Sequence, residues 1–397
     1  MTQHVFIIGS KGIPGNYGGY ETFVDRLTLM HEDNPKIKYH VACKAGGDGS
    51  GSISSDKGTL EYEYHNARCF PVKVPDIGPA QAIYYDVAAI RSAIGYIKAH
   101  RIERPIIYIL ACRIGPFMKG LVDKVHSLGG VVYINPDGHE WMRGKWSSIV
   151  RKYWKFSEKL MVRYADKIVC DSVNMEKYIK AEYPGYKPDT CYISYGAEPA
   201  ADTDKETEEK LSSWLDAHGL ERGGYYLIVG RFVPENNYET MLREFMASDT
   251  ARSLAIITTA NQKYEALLED KLGMSRDPRV KFVGTVYDPA LLAAIRKNAY
   301  GYLHGHEVGG TNPSLLEALA ATDINLLLDV GFNREVGLEG ALYWNKTAGN
   351  LSSLIKKADS LGPEEIRTLS EAAKKRISTS YSWSFIAGEY ERLFNNI

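Results

Sequence analysis

The sequence predicts an α/β protein built from two doubly wound, Rossmann-like domains. Strand-like apolar runs alternate with helical periodicity twice over, which yields parallel sheets covered on both faces. A polar, acidic stretch starting at Pro199 divides the two series and reads as a linker over residues 199–222. The length, 397 residues, exceeds what one hydrophobic core usually serves.

In the first series, apolar runs place strands at residues 4–8, 39–43, 60–65, 106–110, 131–135, 167–170 and 191–194. Helical spacing fills residues 21–31, 82–100, 118–128 and 145–164. The second series places strands at 225–229, 254–258, 280–283, 301–304 and 324–328, with helices at 238–246, 264–272, 289–298 and 313–321. This divides the chain into domains at 1–198 and 223–376, with 377–397 left over. Ligands of such sheets bind at the carboxyl ends of the strands, so two facing sheets would enclose a central cleft.

Composition removes several function classes. Hydrophobic residues make up 44% and charged residues 24%, as in a globular protein. A net charge of -1 argues against general nucleic-acid binding. Cys43, Cys69, Cys112, Cys170 and Cys191 are scattered without a CxxC pair, which suits reduced thiols in a cytoplasmic protein. The apolar start at Val5 is too short for a signal peptide, and no run approaches the ~20 residues of a membrane span.

The segment from His304 to Leu319 carries the most chemistry. It reads as a strand end, a glycine turn and a helix start. Thr311 or Asn312 can cap that helix, and Pro313 suits its first position. The free amides there, with Gly309 and Gly310, favour an anion. Glu317, one turn further in, is placed to accept hydrogen bonds from hydroxyls. An ordinary capped helix after a buried strand is the plainer alternative. The loop over residues 9–23 is also glycine-rich and ends on a helix start, so amides near Gly18 and Gly19 can meet a phosphate. It is not the dinucleotide fingerprint: its glycines fall as GxxGxxG, and Lys44 stands where a ribose-binding acid is expected. An NAD(P)-dependent oxidoreductase is therefore disfavoured.

These pieces, with residues 135–141 (Asn-Pro-Asp-Gly-His-Glu-Trp) and 230–237 (Gly-Arg-Phe-Val-Pro-Glu-Asn-Asn), resemble GT-B glycosyltransferases of the large retaining family 4 along the whole chain. More narrowly, the chain is similar to bacterial cell-surface polysaccharide rhamnosyltransferases. The resemblance implies two Rossmann-like domains facing a central cleft, the donor nucleotide on the C-terminal domain and the acceptor on the N-terminal one. It also implies that residues 377–397 form a helix crossing back to the first domain. It implies donor contacts at Arg231, Asn236, His304 and Glu317, and transfer with retention of configuration. Two positions depart from the wider family. Gly309 stands where the first of two paired glutamates is expected, and residues 235–237 hold no lysine for the diphosphate. Arg231 then carries more of the phosphate charge, helped by the Gly310 and Thr311 amides.

Asp137, His139 and Glu140 follow a buried-looking strand and are candidates to orient or deprotonate an acceptor hydroxyl, unless the acids merely cap the next helix. The HxH pair of His304 and His306 and the DxD of Asp202 and Asp204 imitate metal motifs, but their settings favour a strand-end pair and a linker. No metal or cofactor is expected, because the nucleotide sugar is a substrate. Helix 145–164 sets Trp146 and other apolar residues on one side and Arg151, Lys152, Lys155, Lys159 and Arg163 on the rest. Together with Lys145, Arg143, Trp141, Tyr17 and Tyr20, it is assigned to the acceptor or to an anionic membrane surface; a core helix with a solvated basic face is the alternative. The expected activity is transfer of L-rhamnose from dTDP-rhamnose to a lipid-linked saccharide, in capsule or cell-wall synthesis at the inner membrane face. A UDP-sugar hexosyltransferase and a non-catalytic nucleotide-sugar-binding homologue are the alternatives.

Overall fold

A computed structural model of the chain describes residues 2–15, 18–45, 60–143, 146–199 and 203–396. The chain divides into two compact units. Unit 1 comprises Met1–Gly196 and Trp383–Ile397, and unit 2 comprises Ala197–Ser382.

Unit 1 holds strands β1 (Gln3–Ile8), β2 (Ile37–Ala45), β3 (Tyr62–Tyr64), β4 (Ala67–Lys73), β5 (Ile106–Leu110), β6 (Val131–Asn135), β7 (Lys167–Cys170) and β8 (Thr190–Tyr192). Its helices are α1 (Gly19–Met30), α2 (Gln81–His100), α3 (Gly115–His126), α4 (Ser148–Tyr164) and α5 (Val173–Glu182). Among the described residues the sheet order is β3-β4-β2-β1-β5-β6-β7-β8. Among the described residues only the β3–β4 pair of this sheet is antiparallel. The order reverses between β1 and β5, which opens a crevice at their carboxyl ends.

Unit 2 holds helices α6 (Lys205–His218), α7 (Tyr238–Met246), α8 (Gln262–Leu272), α9 (Pro289–Lys297), α10 (Pro313–Ala321), α11 (Gly331–Gly337), α12 (Asn350–Asp359) and α13 (Pro363–Ser380). Its strands are β9 (Tyr225–Val229), β10 (Ser253–Ile257), β11 (Val280–Phe282), β12 (Gly301–His304), β13 (Asn325–Leu328) and β14 (Leu342–Trp344), ordered β11-β10-β9-β12-β13-β14 and all parallel. Here the order reverses between β9 and β12. Tyr226, Ile228, Leu254 and Ile256 bury into one apolar cluster while Tyr225, Leu227, Ala255 and Ile257 bury into another. Alternate residues of the same strands thus feed opposite faces, which requires a sheet covered on both sides.

The stretch expected as a linker carries α6. Asp204 caps it, accepting from Thr207 N at 2.8 Å, and Leu211 and Leu215 bury against Tyr225 and Leu227. The acidic surface of this helix hides two core positions one turn apart. Strands β4 and β14, and helices α5 and α11 to α13, were also not anticipated.

After unit 2 the chain returns to unit 1 as α14 (Trp383–Asn395). The Tyr390 hydroxyl lies 3.0 Å from that of Tyr108 on β5, and its ring packs 5.4 Å from Phe23. Phe394 packs on Tyr39 and Tyr108. Gly196 lies so close to Trp383 that a Cβ would sit 2.5 Å from the indole.

Candidate functional site

At the reversal of the unit 2 sheet, β9 runs out into Gly230 and Arg231, and β12 into Gly305, His306 and Glu307. Ser314, in the first turn of α10, bonds the Val229 carbonyl at 3.2 Å, so α10 starts against the end of β9. Asn312 is the N-cap: its Oδ1 accepts from Ser314 N at 2.9 Å and Leu315 N at 3.3 Å. Thr311 is buried beside it, and Gly309 takes φ 141°, a value that excludes side chains. Pro313 has no N–H and Asn312 takes those of Ser314 and Leu315, so what α10 offers an anion is the positive end of its dipole. The Arg231 side chain is exposed and has no partner among the described residues. Asn236 does not point outward: it is buried and donates to the Arg231 carbonyl at 2.8 Å, fixing the turn that presents Arg231. Asn237 donates to the Gly305 carbonyl at 2.8 Å, and a Cβ on Gly305 would stand 2.4 Å from the Asn236 carbonyl.

Glu317 is only partly available. Its Oε2 lies 2.6 Å from Nη2 of Arg296, whose side chain is 4% exposed against 43% for Glu317. Arg296 also donates to Ser314 at 3.1 Å, and Tyr302 bonds the same hydroxyl. This network fastens α10 to α9 and β12, and sequence reasoning missed it. His304 is fully buried with both ring nitrogens unpartnered, and burial holds its pKa well below the usual histidine range. Its ring stacks on His306 at 4.4 Å, a strand-end pair. Glu307, contacted by Asn237 at 3.3 Å, also pairs with Lys346 from beyond β14.

In unit 1, polar groups collect at the ends of β1, β5, β6, β7 and β8. Ser10, Asn135, Asp171 and Ser194 are buried there, and the Oγ of Ser10 and Ser194 and the Tyr20 hydroxyl are enclosed without a hydrogen-bond partner among the described residues. Burial, reinforced by the Asp137 carboxylate, pushes the Tyr20 phenol well above its ordinary pKa. Asp137 holds φ 59°, uncommon outside glycine, and its Oδ1 accepts from Gly138 N at 2.8 Å. Arg113, absent from the sequence reading, spans the reversal. It donates to Gly9 O at 3.1 Å and pairs with the fully buried Asp86 at 3.1 Å. Burial pushes the Asp86 carboxyl up to about 6 against the pull of Arg113.

Other expected residues are engaged structurally. Glu140 accepts from Trp146 Nε1 at 2.8 Å and pairs with Arg143, so it ties down a loop. Burial lowers the pKa of His139, whose ring lies 4.2 Å from that of Tyr178. Lys155 sits among the rings of Trp141, Tyr178 and Tyr183 at 4.6, 4.9 and 5.1 Å, and pairs with Glu182 at 2.9 Å. It is a held cation, not a free one. Arg151 and Lys152 are exposed. The glycine-rich loop of unit 1 is largely self-satisfied: buried Glu21 accepts from Lys11 N at 2.7 Å and Asp25 from Gly15 N at 2.8 Å. Its Oε2 would lie 1.9 Å from a Cβ on Gly18, so a carboxylate already occupies the start of α1 and repels a phosphate near Gly18 and Gly19. Tyr17 and Lys145 lie outside the described residues.

Residues 2–198 match the model of a domain of unknown function, DUF1972. No curated protein matches the sequence. Solved structures match along the whole chain. Sucrose-phosphate synthase from Thermosynechococcus elongatus aligns at TM-score 0.77 and 15% identity, over 99% of this chain and 98% of that one. HepE from Anabaena, solved with UDP-glucose, aligns at 0.70 and 13% over 100% of both chains. A glycosyltransferase from Rickettsia africae aligns at 0.71 and 12%, over 99% and 98%. The chain has the GT-B fold of these glycosyltransferases.

Proposed function

We propose that this protein is a glycosyltransferase taking its sugar from a nucleoside-diphosphate donor bound in unit 2. The observation that carries the reading is the unpaired Arg231 guanidinium at the same sheet reversal as the capped start of α10. Breaking the bond from the anomeric carbon to the diphosphate oxygen leaves negative charge on that oxygen. A cation on a fixed turn and the positive end of the α10 dipole stabilise it. The half-exposed Glu317 carboxylate, steadied by Arg296, accepts from donor hydroxyls. Asp137 orients the acceptor hydroxyl from unit 1. Its neighbour Tyr20 holds an unspent hydroxyl for the acceptor, and Ser194 holds another after β8.

Within this reading the donor is dTDP-L-rhamnose and the acceptor a lipid-linked saccharide at the inner face of the cell membrane. Retention of configuration follows from front-face attack. The resemblance in residues 9–23 and 308–317 supports the sugar. A UDP-hexose donor is the second reading, favoured by HepE, which is solved with UDP-glucose. The test is a thermal-shift panel of nucleoside-diphosphate sugars, followed by transfer to a polyprenyl-diphosphate-linked acceptor. Transfer from dTDP-rhamnose at higher kcat/KM than from UDP-glucose and UDP-N-acetylglucosamine is expected. The reverse order removes rhamnose and keeps the transferase, and donor binding without turnover on any acceptor leaves a binding homologue.

A further inference from the structure

Another surface of unit 1 runs along α4. A cavity of about 580 Å³ opens between α4 and the turn after α5, lined by Lys152, Lys155, Phe156, Lys159, Tyr183 and Tyr186 among others. Lys155 is occupied by Glu182 and the aromatic rings around it. Lys152 and Lys159 have no partner among the described residues. Along α4, positions 149, 152, 156, 159 and 163 are all exposed, and their spacing draws a single helical stripe. That stripe alternates apolar and cationic residues. Ile149 is 79% exposed and Phe156 52%, with Lys152, Lys159 and Arg163 between and beyond them. The helix carries five cations and one acid, Glu158, in a chain whose net charge is -1.

Exposed apolar side chains that alternate with lysines along one stripe of a basic helix have the pattern of a helix lying in a membrane interface. Apolar groups dip into a bilayer interface while lysines meet anionic headgroups at the same depth. We infer that this face of α4 docks on a membrane, with Ile149 and Phe156 inserted and the phosphate of an anionic phospholipid seated in the cavity between Lys152 and Lys159. The inference rests on the membrane placement proposed above, but not on the sugar chemistry. A protein partner is disfavoured by the chemistry: the stripe offers long lysines and two isolated apolar residues, where a protein interface concentrates a continuous apolar centre with few lysines.

The test is co-sedimentation of the whole protein with phosphatidylcholine vesicles, with and without phosphatidylglycerol. Wild type is expected to bind only the anionic vesicles and to detach as salt rises. The Lys152→Ala, Lys159→Ala double variant should bind roughly 10–30-fold more weakly. Phe156→Ser should weaken binding while keeping the salt dependence. Both variants should melt with wild type, since the altered side chains have no partner or are exposed. Equal binding to neutral and anionic vesicles, or an unaffected double variant, overturns the inference. So does release of vesicle-bound protein by millimolar glycerol 3-phosphate, which would mark a soluble ligand. Nucleotide-sugar binding measured without vesicles separates the outcomes: donor binding without vesicle binding defeats the docking alone, and the converse defeats the transferase alone.

Discussion

Replacing Arg231 by alanine is expected to weaken nucleotide-sugar binding by roughly one to two decades, since a charged hydrogen bond is worth about 1.5–3 kcal/mol. The melting temperature should stay put, because the guanidinium has no partner to lose. Calorimetry showing unchanged affinity would sink the assignment. Glu317→Gln should behave differently. A carboxylate that met only donor hydroxyls would cost activity at unchanged stability, but the Arg296 pair alters that. Removing the charge leaves a buried guanidinium without its counter-ion. Breaking a buried pair costs about 3–5 kcal/mol, and the 43% exposure of Glu317 discounts this to about 1–2 kcal/mol. Donor affinity and thermal unfolding should therefore fall together. A melting temperature identical to wild type would show that Arg296 is satisfied elsewhere. Arg231, Asp137 and Glu317 could be put forward from the sequence because they sit in short motifs next to strand ends. Arg113 and Arg296 could not: their partners Asp86 and Glu317 lie 27 and 21 positions away, and only the fold brings them together.

The donor-side turns are packed tightly enough that a single methyl group matters. Gly305→Ala drives a Cβ into the Asn236 carbonyl at 2.4 Å. Overpacking of this kind costs about 1–3 kcal/mol. Because Asn236 fixes the Arg231 turn, donor affinity should drop alongside stability; a variant that melts like wild type and binds donor normally contradicts this geometry. Both glycine-rich turns read as phosphate sites in the sequence, as each precedes a helix. Side-chain acids distinguish them. Glu21 and Asp25 bring negative charge to the amides of the first turn, whereas Asn312, which caps α10, is neutral and leaves the positive end of its dipole uncompensated. Helix α6 was misread for a related reason: its core contacts are Leu211 and Leu215 amid acids and lysines, so composition masked periodicity.

Stability should depend on pH through buried histidines. Burial holds His40 at about 2 and His304 well below the usual 6.5. Each is neutral in the fold and protonates more readily in the unfolded chain. Stability is therefore full above about pH 6.5 and is lost as pH falls below it, by up to about 1.4 kcal/mol per pH unit for each histidine, the His40 share continuing down to about 2. Thermal unfolding from pH 7.5 to 4.5 should show the decline, and His40→Gln should flatten it; an equally steep decline in that variant would assign it to other groups. At this scale the alternation of strands and helices was enough to foresee two parallel sheets, because each sheet needs helices on both faces. Where each unit ends was less legible, since nothing in the composition of residues 197–222 marks them as packed on unit 2. The return of α14 has a consequence for synthesis. Phe23, Tyr39 and Tyr108 leave the ribosome early, yet the residues that cover them, Tyr390 and Phe394, are made only after all of unit 2. Unit 2 is continuous and can finish folding first. The half of the protein that is translated earliest is thus the last to be sealed, and until then its aromatic flank is a surface for chaperones to guard.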